Sequence, residues 1–379
     1  MHPLPRSLEP IPEESLVGYL LRLTHRIGVP PLHLVRMLGW QTGFFGNRFS
    51  RSVLFELDDP HIADLARLTR LTAEEASDLT LSSWKGRYPP IRRSLANGIS
   101  SARPDGWLFL SNPRFCPRCL AGDGSSAQEL HGGPWRKSWH LPIVFICAEH
   151  RAFLQSRCPQ CEHSWSGSPL LIQRPNDATL HPAQCRRTFP DPTVPKRKTR
   201  ACGYRLDQIP HTSDTRPQPP PHLIRFQQDI LRRLDSSAPA QAAAEYFTDL
   251  RLVADLLSAS WPQAQELVDT GLAGHVTAHV HERAAEHRGT SSNPHRYQVI
   301  DAAPRDAVAC AGLLQAAQRV LAESDLSDTL APLVQAAFRE RGARFAWTTA
   351  FARHEDACSE RMRTSAEPLT EVPPLCGRC

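Results

Sequence analysis

The segment Cys147-Ala-Glu-His150-Arg-Ala-Phe-Leu-Gln-Ser-Arg-Cys158-Pro-Gln-Cys161 contains two pairs of metal-ligand side chains, each with two residues between its members. Cys116-Pro-Arg-Cys119 precedes it with the same spacing, and Cys185 and Cys202 follow it. Two ligands at this spacing lie on one tight turn and can bind one ion, and a second pair from elsewhere completes a tetrahedron. The region therefore offers enough ligands for two four-ligand zinc sites.

The simplest ligand assignment follows the order of the chain. The first set is Cys116, Cys119, Cys147 and His150, and the second set is Cys158, Cys161, Cys185 and Cys202. Crossed pairing is an alternative, because Cys158 follows His150 closely. Four protein ligands in each set are typical of a structural zinc ion, since a catalytic zinc keeps one position for water. We therefore expect two structural Zn²⁺ ions and no enzyme activity.

The second set contains a 16-residue insertion, Arg186–Ala201, between Cys185 and Cys202. Such a gap is long for two ligands of one ion, so it leaves the geometry of this site open. The insertion carries a single acid, Asp191, and it is rich in basic side chains: Arg186, Arg187, Lys196, Arg197, Lys198 and Arg200. This run is either a solvated loop or a basic finger that contacts a phosphate backbone.

Composition narrows the class of protein. The chain has 379 residues and a formal net charge of +5, an excess too small to imply a nucleic-acid partner by itself. The first six residues contain no apolar stretch of the kind found in a secretory signal, and the apolar run Leu141–Cys147 is far too short to cross a membrane. We expect a cytoplasmic, nucleoid-associated protein with metal-bound thiolates rather than disulfides.

Helical periodicity predicts a helix-turn-helix-like domain over residues 1–112. A first helix follows Ser15, the segment Gly28–Pro31 breaks it, and a second helix runs from Pro31 to Trp40. A further helical pair covers Pro60–Leu68 and Thr72–Leu79, with Thr72 as the cap and Glu75 completing a capping box. An ordinary helical bundle would give the same periodicity. In the DNA-binding interpretation, His33 and Arg36 share one face of the second helix and could contact DNA.

The remaining boundaries follow from ligand positions and prolines. We predict tandem zinc fingers over 113–210, a Pro-rich linker over 211–222 and a C-terminal helical domain over 223–379. The apolar stretch Leu141–Ile146 is either a strand that leads to Cys147 or buried packing beside the metal. The fold class is mainly α with small zinc-ribbon β elements. The C-terminal helices are expected at His222–Leu234, Ala240–Ala259, Arg305–Glu323 and Asp325–Glu340, with a loop at Gly289–Asn293.

The order of these motifs resembles the TniQ/TnsD family over roughly residues 3–206. The resemblance rests on a Pro-rich lead into Glu14-Ser15-Leu16, the Arg114-Phe-Cys116-Pro-Arg-Cys119-Leu120 segment, Cys147-Ala-Glu-His150 and Cys202-Gly203-Tyr-Arg-Leu206. It implies a target-site selector of a Tn7-like transposon. Such an adaptor binds DNA or docks on an RNA-guided CRISPR effector complex, and it recruits an AAA+ ATPase regulator that in turn brings the transposase.

Two other functions compete with this one. One is a zinc-dependent transcription regulator, and the other is a zinc-stabilised nuclease. The sequence has no His-Glu-x-x-His and no phosphate-binding Gly-x-x-x-x-Gly-Lys, so neither a zincin protease nor a P-loop ATPase is supported. The terminal pair Cys376 and Cys379 has ligand spacing without a second pair nearby, which fits either metal binding within a homodimer or a frayed end.

Overall fold

The computed structural model describes residues 3–5, 7–42, 48–49, 51–96, 105–110, 113–162, 171–172, 177–190, 199–209, 217–290, 302–341 and 347–370. Within these ranges the chain is mainly helical, and its strands form small two-stranded antiparallel sheets. The predicted fold class is confirmed. No helix of the described ranges is long and apolar enough to cross a membrane.

The chain forms two compact units, each built from discontinuous segments. The first contains residues 1–83, 93–104 and 108–218, and the second contains 84–92, 105–107 and 219–379. The predicted helix-turn-helix region and the Cys-rich region therefore lie largely in one unit. The second unit draws two short segments from the N-terminal part of the chain.

The N-terminal helices α1 (Leu16–Ile27) and α4 (Ala73–Asp78) begin or end at residues that cap them. Helix α1 begins after Ser15, whose hydroxyl accepts from the Gly18 N–H, and it ends at Gly28 with a left-handed φ of 70°. Helix α4 has the predicted capping box, because Thr72 and Glu75 exchange side-chain and backbone hydrogen bonds. The first four helices are α1 (Leu16–Ile27), α2 (Pro31–Met37), α3 (Asp59–Thr69) and α4 (Ala73–Asp78).

Helix α2 is shorter than the predicted Pro31–Trp40. Gly39 takes a left-handed φ of 70°, the Gly39 N–H donates to the Arg36 carbonyl, and the Trp40 N–H donates to the Val35 carbonyl. This is the Schellman arrangement that ends a helix at a glycine. Two strands that periodicity did not indicate follow it, β1 (Gln41–Thr42) and β2 (Arg48–Phe49).

Helix α1 packs directly on the Cys-rich region. A Cβ at Gly18 would lie 2.8 Å from the Trp135 Cβ, so the two backbones touch at a position where only glycine fits. The Ser15 N–H donates to the Trp135 carbonyl at 2.7 Å, and the Lys137 N–H donates to the Glu13 carbonyl at 2.8 Å. These contacts fix the start of α1 against the segment between the two halves of the first ligand set.

The rest of the first unit consists of short elements. They are α6 (Pro117–Ala121), α7 (Ser126–His131), β3 (Ile146–Cys147), β4 (Ala152–Phe153), β5 (Thr188–Pro190) and β6 (Thr199–Ala201), while α5 (Pro89–Ala96) is shared between the units. Of the two interpretations of Leu141–Ile146, the strand holds only for Ile146, which belongs to β3. Pro142 has no N–H for a ladder, and the carbonyls of Pro142 and Val144 accept from the buried Arg114 guanidinium. The stretch is buried packing, which confirms the second of the two interpretations.

The second unit is helical: α8 (Pro221–Leu234), α9 (Ala240–Ala259), α10 (Thr270–Thr290), α11 (Ala307–Ala322), α12 (Leu326–Arg341), α13 (Trp347–Ala352) and α14 (Glu360–Thr370). Four helices were predicted within two residues of their bounds. Helix α10 was missed, and it includes Gly289, where a loop was expected; residues 291–293 of that loop lie outside the described ranges. Pro221 starts α8 rather than ending the linker, because proline suits the first helical turn. Residues 211–216 of the predicted linker also lie outside the described ranges.

A buried ion pair joins the segment 105–107 to α9 within the second unit. Arg251 Nη1 lies 3.0 Å from Asp105 Oδ2, and the two side chains are 2% and 7% exposed. Arg251 Nη2 also lies 2.8 Å from His354 Nδ1. Two residues further on, the Trp107 indole N–H donates to Asp255 at 3.2 Å. A segment that is remote in sequence therefore completes the core of this unit.

We predict that Asp105→Ala lowers the free energy of unfolding of the second unit by about 3–5 kcal/mol, because Arg251 would be left as a buried charge without its carboxylate. Urea denaturation of the full chain measures this loss. Asp229→Ala is the control: Asp229 pairs with Arg232 at the surface, and such a pair contributes less than about 1 kcal/mol. Equal losses in the two variants would contradict the role of the buried pair.

Candidate metal centres

The pairs Cys147/His150 and Cys158/Cys161 are built by the same turn. In the first, the Arg151 N–H donates to the Cys147 carbonyl at 2.7 Å, and in the second, the Glu162 N–H donates to the Cys158 carbonyl at 2.8 Å. Arg151 and Glu162 have left-handed φ values of 49° and 48°. The turn directs both ligand side chains of a pair to one side, as the two-residue spacing predicts.

The first cluster gathers three sulfurs around one imidazole nitrogen. His150 Nδ1 lies 3.5 Å from Cys116 Sγ, 3.3 Å from Cys119 Sγ and 3.4 Å from Cys147 Sγ. Cys119 Sγ lies 3.6 Å from Cys147 Sγ. All four ligand atoms lie within 4.8 Å of one another, and the cysteines are buried. The nitrogen that points into the cluster is therefore Nδ1.

Backbone contacts position the two halves of this cluster. Phe115 and Gln155 exchange N–H to carbonyl hydrogen bonds of 2.8 and 2.7 Å, which brings the Cys116 turn beside β4. Cys116 caps helix α6, and Gly133 lies against the end of that helix. A Cβ at Gly133 would lie 1.9 Å from the Cys119 carbonyl oxygen, so a larger residue there must displace the ligand turn.

The second cluster gathers four sulfurs. Cys158 Sγ lies 3.9 Å from Cys202 Sγ, and Cys161 Sγ lies 3.8 Å from Cys185 Sγ. All four sulfurs lie within 4.8 Å of one another. The structure thus brings the residues together in chain order, and the crossed sets are not formed. These spacings are far longer than the S–S bond of about 2.05 Å in a disulfide.

A β-hairpin explains how Cys185 and Cys202 meet across the insertion. Strands β5 and β6 pair antiparallel, with Thr188 opposite Ala201 and Pro190 opposite Thr199. At the base of the hairpin, the Cys202 N–H donates to the Arg187 carbonyl at 2.7 Å, and the Gly203 N–H donates to the Cys185 carbonyl at 3.0 Å. The long gap in sequence therefore closes to neighbouring positions in space.

Both clusters have the dimensions of a tetrahedral zinc site. With Zn–S of about 2.3 Å and Zn–N of about 2.0 Å, the edges of a tetrahedron are about 3.8 Å between sulfurs and about 3.5 Å between sulfur and nitrogen. The distances from 3.3 to 3.9 Å match these edges. The donors also suit zinc. The first cluster offers three thiols and one imidazole, and the second offers four thiols.

Electrostatics within the clusters favour a bound cation. Hydrogen bonds from Cys116 and Cys119 lower the pKa of Cys147, and a hydrogen bond from Cys185 lowers the pKa of Cys158. Hydrogen bonds with neighbouring thiols, first with Cys116, raise the pKa of Cys119, and the bond with Cys158 raises the pKa of Cys185. A divalent cation would replace the shared protons, so its binding should release protons and weaken as the pH falls.

The candidate nucleic-acid contacts differ in exposure. His33 and Arg36 are exposed on α2, and Arg200 is exposed on β6. Arg187 is half-buried, with its guanidinium 5.2 Å from the Phe189 ring. Arg186 is 4% exposed and donates to the Leu180 carbonyl, so its burial removes it from the surface on which the sequence placed it. Lys196, Arg197 and Lys198 lie outside the described residues, as do Cys376 and Cys379.

Sequence reasoning missed the residues that hold the clusters in place. Trp135, Arg114 and Gly133 have no ligand chemistry, and their roles depend on contacts with distant segments. The signal that could have found Gly133 is the Gly132-Gly133 dipeptide within a region otherwise fixed by ligands.

Residues 5–154 match the TniQ family. This stretch is a TniQ family domain. It includes helices α1 to α4 and the first cluster, and it ends at Leu154, just before the second cluster. The resemblance seen in the sequence is thereby confirmed for this range. No curated protein matches the chain.

We predict that Gly133→Ala removes about one of two bound zinc equivalents, because the new methyl group would collide with the Cys119 carbonyl and displace the ligand turn. Metal analysis of the purified protein after dialysis measures the stoichiometry. Gly274→Ala is the matched control, since a Cβ there meets no atom within 4 Å and alanine favours the helix. Full occupancy in Gly133→Ala would show that the contact does not position the site.

We further predict that replacing residues 190–199 with Asn-Gly leaves zinc content unchanged. Arg187 and Cys202 form a hydrogen-bonded pair, so Phe189 and Arg200, two residues further along each strand, form the next one, and a two-residue turn can close such a pair. The hairpin base that joins Cys185 and Cys202 should therefore survive. A variant that also lacks β5 and β6 serves as the contrast and should lose one equivalent. Loss of zinc on the shorter deletion would mean that the tip itself supports the site.

Proposed function

We propose that this chain is a target-site selection adaptor of a Tn7-like transposon. The observation that carries the proposal is the TniQ domain over residues 5–154, in which helices α1 to α4 belong to the same compact unit as the first Cys/His cluster. In this role the protein binds DNA or an RNA-guided CRISPR effector complex. It recruits an AAA+ ATPase regulator, and through that regulator the transposase.

Two structural zinc ions are part of the proposal. Cys116, Cys119, Cys147 and His150 would hold one ion, and Cys158, Cys161, Cys185 and Cys202 would hold the other. Because each ion would have four protein ligands, it would supply cross-links rather than a reactive water. The adaptor would therefore be non-catalytic, and the chemistry of transposition would reside in its partners.

The proposed nucleic-acid surface combines α2 with the β5–β6 hairpin. The exposed His33 and Arg36 would approach base edges or phosphates, while Arg187, Arg200 and the basic residues Lys196, Arg197 and Lys198 would contact phosphates. On α2, Leu32, Leu34 and Val35 are buried, whereas His33 and Arg36 are exposed. Such an adaptor would act in the cytoplasm, at the nucleoid, as a monomer or a homodimer.

Footprinting of the purified protein on DNA of a candidate attachment region tests direct recognition. A discrete protected sequence supports direct readout by the adaptor. Unspecific binding whose affinity falls steeply with salt supports docking on a separate recognition complex instead. Protection of operator DNA without capture of an AAA+ ATPase would favour a transcription regulator, and metal-dependent loss of the DNA would favour a nuclease.

We predict that Arg36→Ala weakens DNA binding and reduces the slope of log affinity against log salt by about 1, the change expected when one phosphate contact is lost. Fluorescence anisotropy over a salt series measures both quantities. Arg67→Ala is the control, because Arg67 is an exposed arginine of α3 that pairs with Asp64. If the two variants behave alike, α2 does not contact the DNA.

A further inference from the structure

A cavity of about 410 Å³ lies among helices α8, α9 and α11 of the second unit. Three guanidinium groups line it: Arg225 and Arg233 from α8, and Arg319 from α11. Neither the TniQ domain nor the metal clusters include these residues. A concave site with several cationic side chains is suited to an anionic group, because guanidinium groups bind carboxylates and phosphates through paired hydrogen bonds.

Two of the three arginines are held in place before any ligand binds. The Arg233 guanidinium stacks on the Tyr246 ring at 4.0 Å from its centroid. Arg319 Nη2 lies 2.6 Å from Asp269 Oδ1. Side chains that are already ordered lose less conformational entropy on binding, so the site is preorganised.

The wall beside Tyr246 offers fixed polar groups. The Tyr246 hydroxyl donates to Gln318 Oε1 at 2.5 Å, and burial raises the pKa of Tyr246 to about 12, so the hydroxyl keeps its proton. The Gln315 side chain already hydrogen-bonds Asp269. The Gln318 amide lines the cavity, and with its oxygen engaged by Tyr246 it can use its N–H groups as donors to a ligand. Amides of this kind pair well with a peptide backbone.

The lining also argues against nucleic acid as the ligand. Asp229 lies in the wall, and Asp269 holds both Arg319 and His222, so the cationic charge is partly compensated. A nucleic-acid backbone carries a charge on every phosphate, so these carboxylates would repel it more strongly than a single acidic side chain placed beside the arginines. A rigid duplex is also convex and cannot enter a cavity between helices. A flexible peptide can insert one acidic side chain beside the arginines, rest an apolar neighbour on Phe226, and use its backbone N–H groups on Asp229.

We propose that this cavity is a docking site for a protein partner, which inserts an extended peptide segment carrying an acidic side chain flanked by an apolar one. The inference goes beyond target recognition by the first unit and does not depend on it. It assigns the second unit a partner-binding role, with Arg225 and Arg233 as the residues that select the acidic side chain.

The test uses the full chain and a fluorescein-labelled peptide of sequence Gly-Ser-Glu-Leu-Glu-Leu-Glu-Gly, measured by anisotropy. Its counterpart has Gln at the three Glu positions. We expect the acidic peptide to bind, the Gln peptide to bind at least about tenfold more weakly, and added salt to weaken the acidic peptide selectively. Arg225→Glu should reduce affinity for the acidic peptide at least about tenfold, because it places a like charge beside the ligand.

Arg339→Glu is the matched control: Arg339 is exposed on α12, outside the cavity, and the change in net charge is the same. Equal weakening in both variants would reduce the effect to net charge and overturn the proposal. Failure of the wild-type protein to bind the acidic peptide more tightly than about 1 mM would also overturn it. Displacement of the peptide by an equal concentration of oligothymidylate would identify a phosphate site instead.

Discussion

The convergence of four ligand atoms on each of two points is the constraint on which the first unit depends. In the described parts of residues 113–209, the regular elements are one- or two-turn helices and strands of two or three residues. Two-stranded sheets this short do not stabilise a fold by themselves. The two clusters join segments that are remote in sequence, Cys116 with His150 and Cys158 with Cys202. The three ligand turns and the base of the β5–β6 hairpin are thereby held together by side chains rather than by long regular elements.

The segment between the two halves of the first ligand set also contacts the N-terminal helices. Trp135 lies between the two halves of the first ligand set, is 1% exposed, and receives α1 at Gly18. Lys137, in the same segment, donates to the carbonyl of Asp78 at the end of α4. A surface built from α2 would therefore be positioned by a scaffold that includes the metal centres. In the proposed adaptor, this connection would let bound zinc ions contribute to recognition by positioning that surface.

The local parts of this fold could be predicted from the sequence. Ligand spacing, capping residues and helical periodicity each act over a few residues, and so the sets at Cys116 and Cys158, the Thr72 capping box and helix α9 were anticipated. Contacts between distant segments could not be anticipated. Arg186 belongs to a basic run but is buried, and Asp105 belongs by sequence to the N-terminal region but completes the second unit.

Helix α10 shows a different limit. Its buried positions include Leu272, Val276 and Val280, which have helical spacing, but glycine and histidine separate them and dilute the pattern. Conversely, Leu141–Ile146 is a continuous apolar run of the kind found in buried strands. Here the run is buried beside the first cluster, but most of it does not pair with another strand. The apolar content of this segment predicts that it is buried, but it does not predict the backbone conformation. That conformation depends on hydrogen bonds such as those from Arg114 to the carbonyls of Pro142 and Val144.

Zinc K-edge X-ray absorption on the purified protein tests the central claim most directly, because it reports the atoms around the metal. Two ions in these clusters predict an average shell of about 3.5 sulfurs at about 2.3 Å and about 0.5 nitrogen at about 2.0 Å per zinc, with two zinc ions per chain. A shell dominated by oxygen, or a protein that folds without metal, would contradict the account.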